Sequence, residues 1–271
     1  MVLLAALWGL GRYEVACAED VFREVQGDHF IVKYLLADER ENALRILQRA
    51  EDYYKRVADG IGYSRYQEYW TWERRVNIVL YPDQMSYARF TGQPVWSKGY
   101  ASRDSRLFHS KVVVSYDDQP DFLEEILPHE ITHLMVWDFL GFTRKVPIWF
   151  EEGLAQLEEQ GKRDVVQEAM QGVVAAGNAI PFTTFNSLNI TSIQDQTRVS
   201  LFYAQSLSIV DFMLTRYGKD AFRHFCRELR QGGEFEESLA RAYPAIFRTL
   251  FDLEWKWKNY LQNDFIPGGS K

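Results

Sequence analysis

The chain has 271 residues, 46% hydrophobic and 25% charged, a globular composition long enough to bury a large core. A net charge of −7 with no run of Lys and Arg argues against a nucleic-acid partner, which needs clustered cations against phosphate. Two cysteines, Cys17 and Cys226, leave no disulfide framework and no thiolate cluster for a structural metal.

The chain opens on MVLLAALWGL, an apolar run followed by Ala16-Cys17-Ala18, a small-x-small pattern like a secretory cleavage site. Residues 1–18 are therefore read as a leader segment, and export to the periplasm or the cell exterior is expected. The alternative is an N-terminal helix of the fold, because no Lys or Arg precedes the run and Arg12 and Glu14 interrupt it. Ten apolar residues are too few to span a bilayer, so stable membrane insertion is not expected.

HFIVKYL at 29–35 alternates like a strand, and residues 38–61 carry apolar residues at helical spacing. RVNIVLY at 75–81 is a second strand, and DQMSYARFTG after it predicts a short helix closed by Gly92. Strands are expected at 99–102 and 107–116, the clearest stretch being KVVVSY, with a break and a helix cap at 117–120. The rest reads as helix, near 121–140, 148–160, 163–176, 198–217, 219–230, 234–243 and 247–262, with a Thr-, Asn- and Ser-rich loop from 181 to 197. This is an α+β pattern: a strand-rich lobe with the motif helices over 19–160, a helical lobe over 161–262, and a flexible tail at 263–271.

At the junction lies LPHEITHLMVWDF, residues 127–139. Histidines four apart lie one turn above each other, so His129 and His133 can aim ring nitrogens at one point while Glu130 projects to the side. Two imidazoles and a carboxylate on an apolar stretch are costly to bury unless something pairs them, and a metal ion would. Ile126, Leu127, Ile131, Leu134, Met135 and Trp137 are expected to bury the helix, with Pro128 either starting or kinking it. A third ligand must come from elsewhere. Asp138 points about 140° away from His133 round the helix. The next carboxylates are Glu151 and Glu152 in PIWFEEGLAQLEEQ, of which only one can face the site.

His-Glu-x-x-His, eighteen residues, then Glu-Gly-x-Ala resembles the signature of the gluzincin zinc metallopeptidases, with the spacing of their aminopeptidase branch. The wording LPHEITHL with PIWFEEGLAQLEE resembles bacterial peptidase MA-like domain proteins still more. The resemblance implies a thermolysin-like fold with one zinc ion, Zn2+, between the lobes. It makes His129, His133 and Glu152 the ligands and Glu130 the general base, with Glu151 the alternative to Glu152. Gly153 leaves room for close packing. Glu159 matches a recurrent acidic position that orients a ligand histidine, a role Gln156 could fill instead. Tyr203 in LFYAQSLSIVDFMLTRYG stands where gluzincins present a tyrosine to the substrate carbonyl, the alternative being a packing residue. The function implied is hydrolysis of peptide or protein substrates. The rival is a catalytically inactive zinc-bearing module that binds peptides or cell-envelope material. The Gly-x-Met-Glu-Asn run of the aminopeptidase branch has no counterpart here, which argues against strict aminopeptidase activity. His29, His109 and His224 are expected to be structural or solvent-exposed.

Overall fold

A computed structural model describes residues 22–35, 39–63, 70, 74–94, 97–105, 110–116, 120–141, 146–190 and 193–266. The leader expected at 1–18, His109 and the break at 117–119 lie outside them.

The first half builds a five-stranded mixed sheet from β1 (Arg23–Gln26), β2 (Phe30–Tyr34), β3 (Val76–Tyr81), β4 (Tyr100–Ser105) and β5 (Ser110–Tyr116), in the order β1-β2-β3-β5-β4. The central strands β2, β3 and β5 run parallel, with Val32 opposite Ile78 and Val79 opposite Val114, and β1 and β4 close the two edges antiparallel. Every residue of β3 is buried, as a strand covered on both faces requires. Ile78 and Leu80 face the main core, while Val79 and Tyr81 join Val112, Val114, Tyr116 and Tyr87 on the other side.

Helix α1 (Arg40–Ile61) lays Ile46, Ala50, Tyr53, Tyr54 and Val57 on the main-core side of the sheet and stops at Gly62, whose φ of 71° suits glycine. The short α2 (Gln84–Thr91) covers the opposite side, started by the Asp83 carboxylate accepting from the Ser86 N–H. The second half is helical: α3 (Leu127–Leu140), α4 (Ile148–Leu157), α5 (Lys162–Ala175), α6 (Phe182–Phe185), α7 (Gln196–Arg230), α8 (Phe235–Ala242) and α9 (Leu250–Asn259). The long α7 breaks at Gly218, where φ is 82° and ψ 163°, which separates the two helices expected on either side of it.

Three local differences from expectation have physical causes. α9 starts at Leu250 rather than 247, because Thr249 and Asp252 form a reciprocal capping box. α6 forms inside the expected loop, where Phe182 and Phe185 pack on Trp149. β1 was not expected: only Val25 of its four residues is buried. Beyond α9 the chain makes one wide turn over Tyr260–Asp264, and Gln171 donates to the Leu261 carbonyl at 2.9 Å. Among the described residues, no helix is long and apolar enough to cross a membrane.

The two halves share one core. α3 packs on α1 and on β4 and β5, and α4 packs between α3 and α7. α4 and α7 approach closely at Gly153, where an added Cβ would lie 2.6 Å from Val210 Cγ2 and closer still to the Ser206 carbonyl oxygen. A polar thread fastens α5, α7 and α9: Ser208 Oγ donates to Gln167 Oε1 at 2.7 Å and accepts from Trp257 Nε1 at 2.9 Å.

Candidate metal centre

The motif helix is held by its apolar residues and by what Pro128 lacks. Leu127, Ile131, Leu134, Met135, Val136 and Phe139 are all buried. Before them, Phe122–Ile126 forms a wider turn in which the Leu127 N–H reaches back to the Phe122 carbonyl. Pro128 stands at the start of α3 and has no N–H, so the Glu124 carbonyl, its natural partner one turn back, is left over. That carbonyl accepts from the Gln160 N–H at 2.9 Å, just past α4. The missing donor thus ties together the two helices that carry the site.

His129, His133 and Glu152 converge, and among the described residues they are the one group of three such donors that does. The two Nε2 atoms are 3.0 Å apart, and Glu152 Oε2 lies 3.6 Å from His129 Nε2 and 3.7 Å from His133 Nε2. A circle through three atoms so separated has a radius of about 2.0 Å, the length of a zinc–nitrogen or zinc–oxygen bond. Glu152 Oε2 is buried and makes no hydrogen bond, a costly state for a carboxylate oxygen unless a cation sits against it. Two imidazoles and one carboxylate fit zinc with a position left open.

Electrostatics within the trio agree. Burial pushes the His133 pKa down, but the facing Glu152 carboxylate, with help from Glu130 and Glu151, more than offsets this and leaves it raised. Burial pushes Glu152 up, and the two histidines bring it below its usual value.

His129 is oriented from behind by Glu159, whose Oε1 lies 2.8 Å from Nδ1. Glu159 is itself buried and paired with Lys162. Gln156, the other residue considered for this place, touches neither histidine. Its Nε2 donates to the Tyr203 carbonyl at 3.0 Å and so joins α4 to α7. The expected helix to 160 would have put Glu159 on the Glu152 face, but α4 ends at Leu157 and a turn carries Glu159 to His129.

Glu151 faces away from the trio's centre, accepting from Trp137 Nε1 at 3.1 Å, and its burial raises its pKa. Asp138 is buried on the far side of α3 against Lys111 and Trp70 Nε1. Trp137, expected in the core, is only half-buried and stacks on His133. Periodicity marked it as apolar; its position one turn past His133 is the signal that places it at the site.

Glu130 and His129 line an open cleft of about 320 Å³ with Ser97, Lys98, Gly99 and Lys162, at the start of edge strand β4. Tyr203, half-buried on α7, has its pKa pushed up to about 12 by burial and by the charges of Glu152, Glu130 and Glu159. The other described histidines lie elsewhere: His29 pairs with Glu51 at 2.6 Å and stacks on Tyr54, and His224 faces Glu228 at 3.4 Å. Cys226 is buried and free.

Fold and donor set together define a mixed α+β domain with a candidate metal centre between a five-stranded sheet and a helical second half. The family model of the peptidase MA superfamily matches residues 73–263, more than half of the chain, and the chain belongs to that superfamily. No curated protein matches it in sequence.

Proposed function

We propose that the protein is a zinc-dependent metallopeptidase that hydrolyses peptide bonds in the cleft beside Glu130. The observation that carries this reading is the buried Glu152 Oε2, which makes no hydrogen bond and faces two imidazole nitrogens at spacings that let one ion reach all three atoms. His129, His133 and Glu152 would hold the ion, with Glu159 fixing the ring of His129. When bound, zinc supplies an activated water near neutral pH and polarises the scissile carbonyl.

Every other step falls to the chain itself. Glu130 takes the proton of the attacking water on its carboxylate and returns it to the leaving amine. Tyr203, protonated through the neutral range as a phenol is, donates its O–H to the oxygen that gains negative charge. β4, antiparallel to β5 and with no described strand on its outer side, offers backbone groups to an extended peptide. Export of the chain belongs to the same reading and rests on the apolar run and Ala16-Cys17-Ala18.

The test is metal analysis of the purified protein together with a peptide-library cleavage assay with and without chelator. One zinc per chain and chelator-sensitive cleavage are expected. Absence of bound metal at added zinc would overturn the reading.

A further inference from the structure

The two histidines of the trio are held by different means. His129 has a carboxylate behind it, but His133 Nδ1 is buried and has no hydrogen-bond partner. With Nε2 turned towards Glu152, Nδ1 is the nitrogen that carries the proton of the neutral ligand, so an N–H is left unsatisfied. A metal-ligating histidine ordinarily has its ring set by a bond at that second nitrogen. Something else must set the ring of His133.

One turn further along α3, the indole of Trp137 lies against it, with ring centroids 5.6 Å apart and planes 22° from parallel. The indole is itself fixed. Its Nε1 donates to Glu151 Oε2 at 3.1 Å, and the Arg103 guanidinium of β4 sits over it, 5.0 Å from the ring centroid. Glu151, the neighbour of Glu152, thus touches His133's surroundings through this indole as well as through its charge. We infer that Trp137 is the positioning residue for His133, its flat face replacing the missing hydrogen bond. This inference rests on the zinc reading above.

The stack constrains the ring torsion of His133, so losing it frees the ring and weakens metal binding without removing a ligand. Replacing Trp137 by Leu keeps apolar bulk but not the flat face; replacing it by Phe keeps the face but not the indole N–H. Zinc dissociation constants of the two variants and wild type, measured by chelator competition, separate the contributions. The visible spectrum of the cobalt-substituted proteins reports ligand geometry directly.

Trp137→Leu is expected to bind zinc about 10- to 100-fold more weakly, the loss typical of removing an outer partner of a ligand, with an altered cobalt spectrum. Glu159→Gln, which disturbs the other histidine, gives a benchmark for that loss. Trp137→Phe is expected to stay within about threefold of wild type with an unchanged spectrum, well under the loss for a missing outer partner. Wild-type affinity in Trp137→Leu, even with a lowered melting temperature, would overturn the inference and leave the zinc site standing. Equal losses in the Phe and Leu variants would overturn it too, assigning the effect to the indole N–H. A wild-type protein that binds no zinc would sink both.

Discussion

Gly153 carries the contact on which the site's geometry depends, and Gly153→Ala tests it. The added methyl would meet Val210 Cγ2 at 2.6 Å and the Ser206 carbonyl carbon at 2.9 Å, against an ordinary carbon–carbon contact of about 3.5–4.0 Å. Valine can turn; the backbone of α7 cannot. α4 must therefore back away from α7 by about 1 Å, at the upper end of the ~1–3 kcal/mol typical of overpacking. At ~2–4 °C per kcal/mol for a chain of this size, a cost of ~3 kcal/mol lowers Tm by about 6–12 °C. Glu152 is the next residue and moves with the helix, so zinc affinity falls as well. Thermal unfolding with and without zinc reads both effects. Gly172→Ala is the matched control: it lies exposed in α5 with nothing within 4 Å of a new Cβ, and should be neutral or stabilising by ~0.5–1 kcal/mol. A Gly153→Ala protein that melts within about 2 °C of wild type would refute the steric reasoning, being less than the shift of 1 kcal/mol.

Two further predictions concern protons and the oxyanion. In zinc-free protein the raised His133 pKa contributes stability that is complete below the usual imidazole value of 6.5 and is lost as pH rises through the raised one; the lowered Glu152 pKa contributes stability that is complete above 4.5 and is lost as pH falls through the lowered one. The pair therefore favours the zinc-free fold most between pH 4.5 and 6.5, whereas zinc affinity should climb about tenfold per pH unit up to the His133 pKa, as the competing proton leaves. From pH 6.5 up to the raised His133 pKa, the melting temperature of the zinc-free protein should fall while zinc affinity rises, and parallel trends there would contradict the assignment. Tyr203→Phe, which keeps the ring packed on Phe202, should lower kcat by about 10²–10³ while zinc affinity stays unchanged, as measured by steady-state kinetics and chelator competition; an unchanged kcat makes Tyr203 a packing residue.

Much of the fold was legible because local patterning and tertiary burial agree. HFIVKYL alternates, and the structure buries Phe30, Val32 and Tyr34. Gly92 and Gly218 end or break helices where only a residue free of Cβ is comfortable. β1 was invisible, since an edge strand with one buried side chain has no alternation to read. α6 was missed because aromatic contacts from distant segments, not local propensity, hold it. At the site, the pairing of His129 with His133 could be read because helical geometry turns sequence interval into direction, whereas Glu152, on the next helix, was set apart from Glu151 only by the resemblance to the gluzincin signature. The partners behind them could not be read. The choice between Glu159 and Gln156 turned on where α4 ends, and the role of Trp137 on a neighbour relation that a count of apolar positions does not contain.

The central claim is that Glu130 performs acid–base chemistry at a bound zinc and is not one of its ligands. The direct measurement is Glu130→Gln, compared with wild type for zinc content and for peptide hydrolysis on the same preparation. The account predicts one zinc per chain in both proteins, with hydrolysis reduced by at least about 10²-fold in the variant, the lower range for loss of a general base. Loss of zinc in the variant would make Glu130 a ligand. Undiminished hydrolysis would remove it from the chemistry, and a zinc-loaded wild type that cleaves no peptide would leave a binding module in place of an enzyme.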